Sequence, residues 1–199
     1  MRYSLRSGHG DGPSTRRTRR TGTESLMPAQ PTARWRRDRL LPFLLFASVS
    51  LLYLGHASLY GSWIDDDAGI SYTYARNLAQ GNGLVLNPAG ERVEGYSNPL
   101  WVFLLALMFR AGLFDPVATP KLLSMAAAAA SFVLLRRISG KIFGNRDSTL
   151  HFIPALLLAC SVPFTAWSIS GLENGLYIFL ILLAIDLWLS EIEEAARAP

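Results

Sequence analysis

Residues 40–61, LLPFLLFASVSLLYLGHASLYG, contain no aspartate, glutamate, lysine or arginine and follow a stretch crowded with arginine. As a helix rising 1.5 Å per residue, such a run extends about 30 Å, the thickness of a bilayer's hydrocarbon core. A chain with this segment has lipid as part of its solvent. Half of the residues are hydrophobic, and most of the arginines lie before residue 40. That asymmetry predicts a cytoplasmic N-terminus and a first span that ends outside.

Residues 1–38 are rich in Arg, Gly, Ser, Thr and Pro with little to bury, and read as a disordered basic cytoplasmic tail. Stacking aromatics are nearly absent from it and a span follows directly, so the basic charge is read as an orientation signal and not as a nucleic-acid site. Arg36-Arg37 ahead of Asp38-Arg39-Leu40-Leu41 also looks like a twin-arginine export signal, with Gly55-His56-Ala57 as a cleavage site. The length of the apolar run favours a retained span. Cys160 is the only cysteine, which rules out an intramolecular disulfide and a cysteine-rich metal site.

The expected fold is an all-α integral-membrane bundle with a large first extracytoplasmic loop. Spans are expected at about 40–61, 117–135, 150–167 and 172–189. The loop covers 62–116, with interfacial helices at about 68–80 and 99–114. The second of these is short, opens with Pro99 and carries Arg110, so it is read as lying in the interface. Lys121 is expected to snorkel at the outer end of its span, and Ala126 to Ala130 to give a small-residue packing face. The basic group Arg136, Arg137, Lys141 and Arg146 then falls inside. Pro154 and Pro163 are expected to kink the third span. Residues 191–199 form a cytoplasmic end, and the chain reads as the N-terminal part of a longer protein.

In this arrangement Asp65, Asp66 and Asp67 emerge beside the membrane on the same outer face as Glu173. Carboxylates so close together raise one another's pKa, which suits a general base, or draw in a divalent metal such as Mg or Mn; a solvated acidic loop is the plainer reading. Residues 70–79 form an amphipathic pattern, and "QGNGLVLNPAGERVEGYSNP" is rich in turn formers. Arg76 and Arg92 either pair with the carboxylates or meet a phosphate. Glu173 is a second site carboxylate or a helix-start residue. His56 and His151 receive no role.

"DDAGISYTYARNLAQGNGLVLNPAGERVEGYSNPLW", Asp66 to Trp101, and "SGLEN", Ser170 to Asn174, resemble elements of bacterial GT-C membrane glycosyltransferases over about a fifth of the chain. Within that superfamily the segments are most similar to the branch holding the terminal arabinofuranosyltransferases of actinobacterial cell walls. The resemblance implies transfer of a sugar, such as arabinofuranose, from a polyprenyl-phosphate donor to an envelope glycan. Asp66 and Asp67 hold the paired acidic positions, one of them the base, with Asp65 an additional acid. Arg76, Arg92, Glu94, Tyr96, Asn98 and Glu173 are the donor-binding candidates, and Asp66 and Asp67 would be the ligands if a metal is used. Departures are the third acid and Gly69 where the branch has a bulky residue. The family also has more spans, so a partner chain supplying the rest is an expected alternative to a longer product. The competing reading is a non-catalytic accessory or assembly subunit that binds lipid-linked sugar or a partner protein. A transporter fragment fits poorly, because the acids lie beyond the first helix.

Overall fold

The computed structural model describes residues 33–144 and 148–197, with side chains from residue 40 onward. Among the described residues it is all-helical, without strands. Helix α1 is Ala33–Ser58, α2 Ala68–Ala79, α3 Pro99–Arg110, α4 Ala118–Phe143, α5 Ile153–Cys160, α6 Val162–Ser168 and α7 Asn174–Ala195, with a 3-10 turn Thr149–Phe152 before α5. Helix α1 takes in residues 33–38, which the sequence pattern assigned to the tail; residues 1–32, Arg146 and the last two residues lie outside the described residues. Helix α7 likewise continues past residue 189, to Ala195.

Among the described residues three helices are long and apolar enough to cross a membrane: Leu40–Ser58 of α1, α4 and α7. Thr149–Cys160 and Val162–Ser168 taken together make a fourth candidate span, broken or re-entrant, whose two halves meet at a bend of 67°. The bend follows from Pro163. In a continuous helix its missing N–H would leave the Ala159 carbonyl without its partner. The chain instead breaks at Ser161, whose ψ of 114° is extended and whose hydroxyl accepts from Phe164 N. Pro163 then sits in the first turn of α6, where no donor is needed. The freed Ala159 carbonyl lies 3.4 Å from His56 Nδ1.

Two apolar cores are present among the described residues. Val49 and Tyr53 of α1, Ala128 and Phe132 of α4, Ala155 and Ala159 of α5 and Phe164 of α6 form one. Within it the Tyr53 hydroxyl is hydrogen-bonded to Ser168 Oγ at 2.7 Å. The alanine run therefore packs Ala128 towards α1 and α5. The close approach of α4 to α7 comes at Gly175, where a Cβ would stand 3.1 Å from the Ser124 carbonyl oxygen. The second core, Tyr74, Ala75, Trp101, Val102, Leu105 and Ala106, joins α2 to α3. The other face of α3 leaves Leu100, Phe103 and Leu107 exposed, an apolar stripe on a helix too short to span.

Turn chemistry sets the start of α4. Asp115 Oδ1 accepts from Val117 N and Ala118 N at 2.9 and 2.6 Å, and Thr119 Oγ1 accepts from Asp115 N at 2.8 Å. Those backbone donors, Ala118 first, hold the Asp115 carboxyl below the usual carboxylate range. Lys121, one turn further on, is buried and donates to the Gly61 carbonyl. At the far end of the same helix pair, Asp186 of α7 is 1 % exposed. It accepts from Lys141 at 2.6 Å and Arg137 at 2.8 Å, while Lys141 also reaches Ser190 Oγ.

Candidate functional site

The three acids form the first turn leading into α2. Ala68, Gly69 and Ile70 N donate to the carbonyls of Asp65, Asp66 and Asp67, each at 3.1 Å. Asp65 is committed locally: its Oδ1 accepts from Asp67 N at 3.0 Å. Carboxylates here face the positive end of a 12-residue helix, which is the physical reason the run is tolerated. Asp66 and Asp67 are both exposed.

A strap from a distant part of the chain holds this turn. Asp65 N donates to the Ser170 carbonyl at 2.8 Å, and Trp101 Nε1 donates to the Gly171 carbonyl at 3.1 Å. Gly171 has φ +94°, and a Cβ there would overlap the Tyr72 hydroxyl and stand 3.0 Å from Ala68 Cβ and Ile64 Cγ2. Only glycine fits. The Tyr72 hydroxyl has no hydrogen-bond partner among the described residues, and burial pushes its pKa up to about 12.

The strap brings Glu173 against Asn98. Asn98 Nδ2 donates to Glu173 Oε2 at 2.6 Å and to Ser71 Oγ at 3.0 Å. Asp67, Ser71, Tyr96, Asn98 and Glu173 together line a cavity of about 300 Å³. Its neighbour, about 230 Å³, is an apolar groove between α3 and α7 lined by Leu100, Trp101, Leu176, Tyr177 and Leu180. The two share Ser97, Asn98 and Glu173 as a common wall.

Of the residues singled out in the sequence, Asp67, Tyr96, Asn98 and Glu173 meet at this cavity. Asp66, Arg76, Arg92 and Glu94 are exposed and outside its lining, and Asp65 serves the turn. Among the described residues no ion pair joins Arg76 or Arg92 to a carboxylate. No group of three or more His, Cys, Asp or Glu suited to a metal occurs among them either. Asp67 and Glu173 supply two carboxylates to the cavity, and no chemical step is assigned to a metal.

Sequence reasoning missed the polar face of α2. Ser71, Tyr74 and Asn77, spaced every three residues, are buried. The Tyr74 hydroxyl donates to the Val93 carbonyl at 2.6 Å and accepts from Gly95 N at 3.0 Å, while its ring packs on Tyr96 at 4.8 Å. Asn77 Nδ2 donates to the carbonyls of Val85 and Leu86. These side chains fasten both halves of the turn-rich segment to α2, and their i, i+3, i+6 spacing was the available signal. No protein-family model matches the chain, and no curated protein or solved structure does either.

Proposed function

We propose that the chain is the donor-facing part of a membrane glycosyltransferase that moves a sugar, with arabinofuranose the first to test, from a polyprenyl phosphate to an extracytoplasmic envelope glycan. One observation carries this reading. The separate sequence segments that resemble GT-C enzymes, the acid turn, GYSNPLW and SGLEN, fold into a single acidic cavity walled off from an apolar groove by Asn98 and Glu173. An amphiphile with a sugar head and an isoprenoid chain matches that pairing of linings.

Asp67 is the proposed base, because Asp65 is occupied by the Asp67 N–H and Asp66 lies outside the lining. It takes the proton of an acceptor hydroxyl as that oxygen attacks the anomeric carbon. The bond from that carbon to the phosphate oxygen breaks, and the polyprenyl phosphate leaves with the electron pair. Glu173, accepting from Asn98, keeps an acceptor oxygen for the hydroxyls of the donor sugar. The orientation proposed is N-terminus in the cytoplasm and cavity outside, from the arginines ahead of α1.

A second reading has an observation of its own. With Arg76 and Arg92 outside the lining, the cavity has acids and no cation to receive a departing phosphate. That favours a subunit that binds sugar hydroxyls without catalysis. Both are tested in membranes carrying the expressed protein, by transfer of radiolabelled sugar from synthetic polyprenyl-phosphate pentoses and hexoses. Asp67→Asn is expected to lower transfer about 10²- to 10⁴-fold with unchanged membrane insertion, the range for loss of a general base. Asp66→Asn is expected to stay near the parent. Full activity in Asp67→Asn would remove the catalytic reading and leave the accessory one.

A further inference from the structure

We infer that Tyr60, Trp63 and Trp167 form an interfacial anchor on the headgroup layer of the bilayer, and that this anchor sets the depth of the acidic turn. The three rings make a ladder: Tyr60 to Trp63 and Trp63 to Trp167 each have centroids 6.4 Å apart. The indoles are 42 % and 47 % exposed, and neighbouring Leu59 is 81 % exposed. Indole and phenol rings with one apolar and one polar edge concentrate where hydrocarbon meets water.

The partner is identified by where the ladder sits. It joins the turn after α1 to the end of α6, two apolar segments fit to lie in lipid. Lys121 reaches the Gly61 carbonyl in the same turn, bringing a cation to the level of the rings. On α4, Lys121 and Lys141 are separated by about 30 Å at 1.5 Å per residue, and the hydrocarbon core of a bilayer is about 30 Å thick. Lys141 lies in the ion-paired cluster with Asp186, and α7 exposes Trp188 close by in sequence. Two polar levels one hydrocarbon thickness apart, each with an exposed tryptophan, define a lipid register. Trp63 is two residues from Asp65 and Trp167 three from Ser170, the pair joined by the strap, so the register passes directly to the cavity.

The test uses the whole chain in vesicles of phosphatidylcholine and phosphatidylglycerol, 3:1, with a fraction of the phosphatidylcholine brominated at carbons 6,7 or at carbons 11,12. Subtracting the emission of Trp63→Phe/Trp167→Phe from that of the parent isolates these two indoles. The difference signal is expected to be quenched at least two-fold more strongly by the shallow bromines. Equal or deeper quenching overturns the inference, as does quenching by aqueous iodide with no effect of brominated lipid. Protection by a soluble oligosaccharide without lipid quenching would overturn it too, making the ladder a sugar platform. Because the double variant can fail to fold, a nitroxide at Leu59→Cys in a Cys160→Ser background gives a second reading. Greater accessibility to oxygen than to a nickel chelate is expected there, and the reverse would be decisive against the anchor.

Discussion

Replacing Gly171 with alanine tests the strap directly. The new methyl carries two separate costs. The left-handed backbone at φ +94° is unfavourable for an L side chain by about 1–2 kcal/mol. The methyl also intrudes on the Tyr72 hydroxyl, Ala68 Cβ and Ile64 Cγ2, and overpacking of this kind costs about 1–3 kcal/mol. The sum, about 2–5 kcal/mol, is a large share of the stability of an ordinary domain. Tyr72→Phe separates the two terms. Alone it removes a hydroxyl with no partner, so it is expected to be neutral or slightly stabilising. Combined with Gly171→Ala it removes the atom the methyl hits hardest, and the pair is expected to be more stable than Gly171→Ala alone by about 1 kcal/mol or more. Unfolding in mixed micelles can be followed through Trp101, whose indole N–H is bonded to the Gly171 carbonyl. A Gly171→Ala protein as stable as the parent would refute the reasoning. A double variant no better than the single would keep the backbone cost and refute the contact.

Asp186→Ala strands Lys141 in a buried position and is expected to cost about 3–5 kcal/mol, with Asp186→Leu/Lys141→Leu recovering most of it; a loss below about 1 kcal/mol would show that Lys141 simply swings out. Tyr72 has a folded pKa raised from 10.0 to about 12, so stability is insensitive to its ionisation below pH 10 and falls as pH climbs from 10 to about 12, a fall that Tyr72→Phe removes. An absorbance titration at alkaline pH should show late-ionising tyrosine absorbance that is reduced in Tyr72→Phe, and an unchanged titration curve in that variant would contradict the assignment. In a Cys160→Ser background, Gly90→Cys should react with an impermeant thiol reagent on intact cells and Ile142→Cys only after permeabilisation. Reaction of both on intact cells would make α3 a crossing helix and reverse the proposed side of α7.

The helices were readable because their signals are local. The amphipathic pattern at 70–79 became α2, and Pro99 and Arg110 bracket α3 at both ends. The break in the fourth apolar segment follows from Pro163 alone, although its 67° angle and the part played by His56 do not. The residues of the cavity were legible only as separate stretches of sequence, without the contacts that join them. What brings Asn98 to Glu173 is the strap, and the strap depends on a glycine whose neighbours, Ile64, Ala68 and Tyr72, lie in one stretch of chain about a hundred residues earlier. Nothing in the spacing of SGLEN announces that. Asp186 was missed although a lone aspartate in LYIFLILLAIDLWLS is a conspicuous polar intrusion, because its cations lie on another helix.

The bond between Asn98 and Glu173 joins positions 75 residues apart. At about 5–20 residues per second, a ribosome needs roughly 4–15 s to supply the second after the first. During that interval the acid turn, α2 and α3 have been synthesised, while Ser170 and Glu173, which supply the tether and one wall of the cavity, have not. The cavity can close only once residues 170–173 are delivered. Chains interrupted before that point would keep the acids and the amphipathic hairpin yet hold no cavity at all.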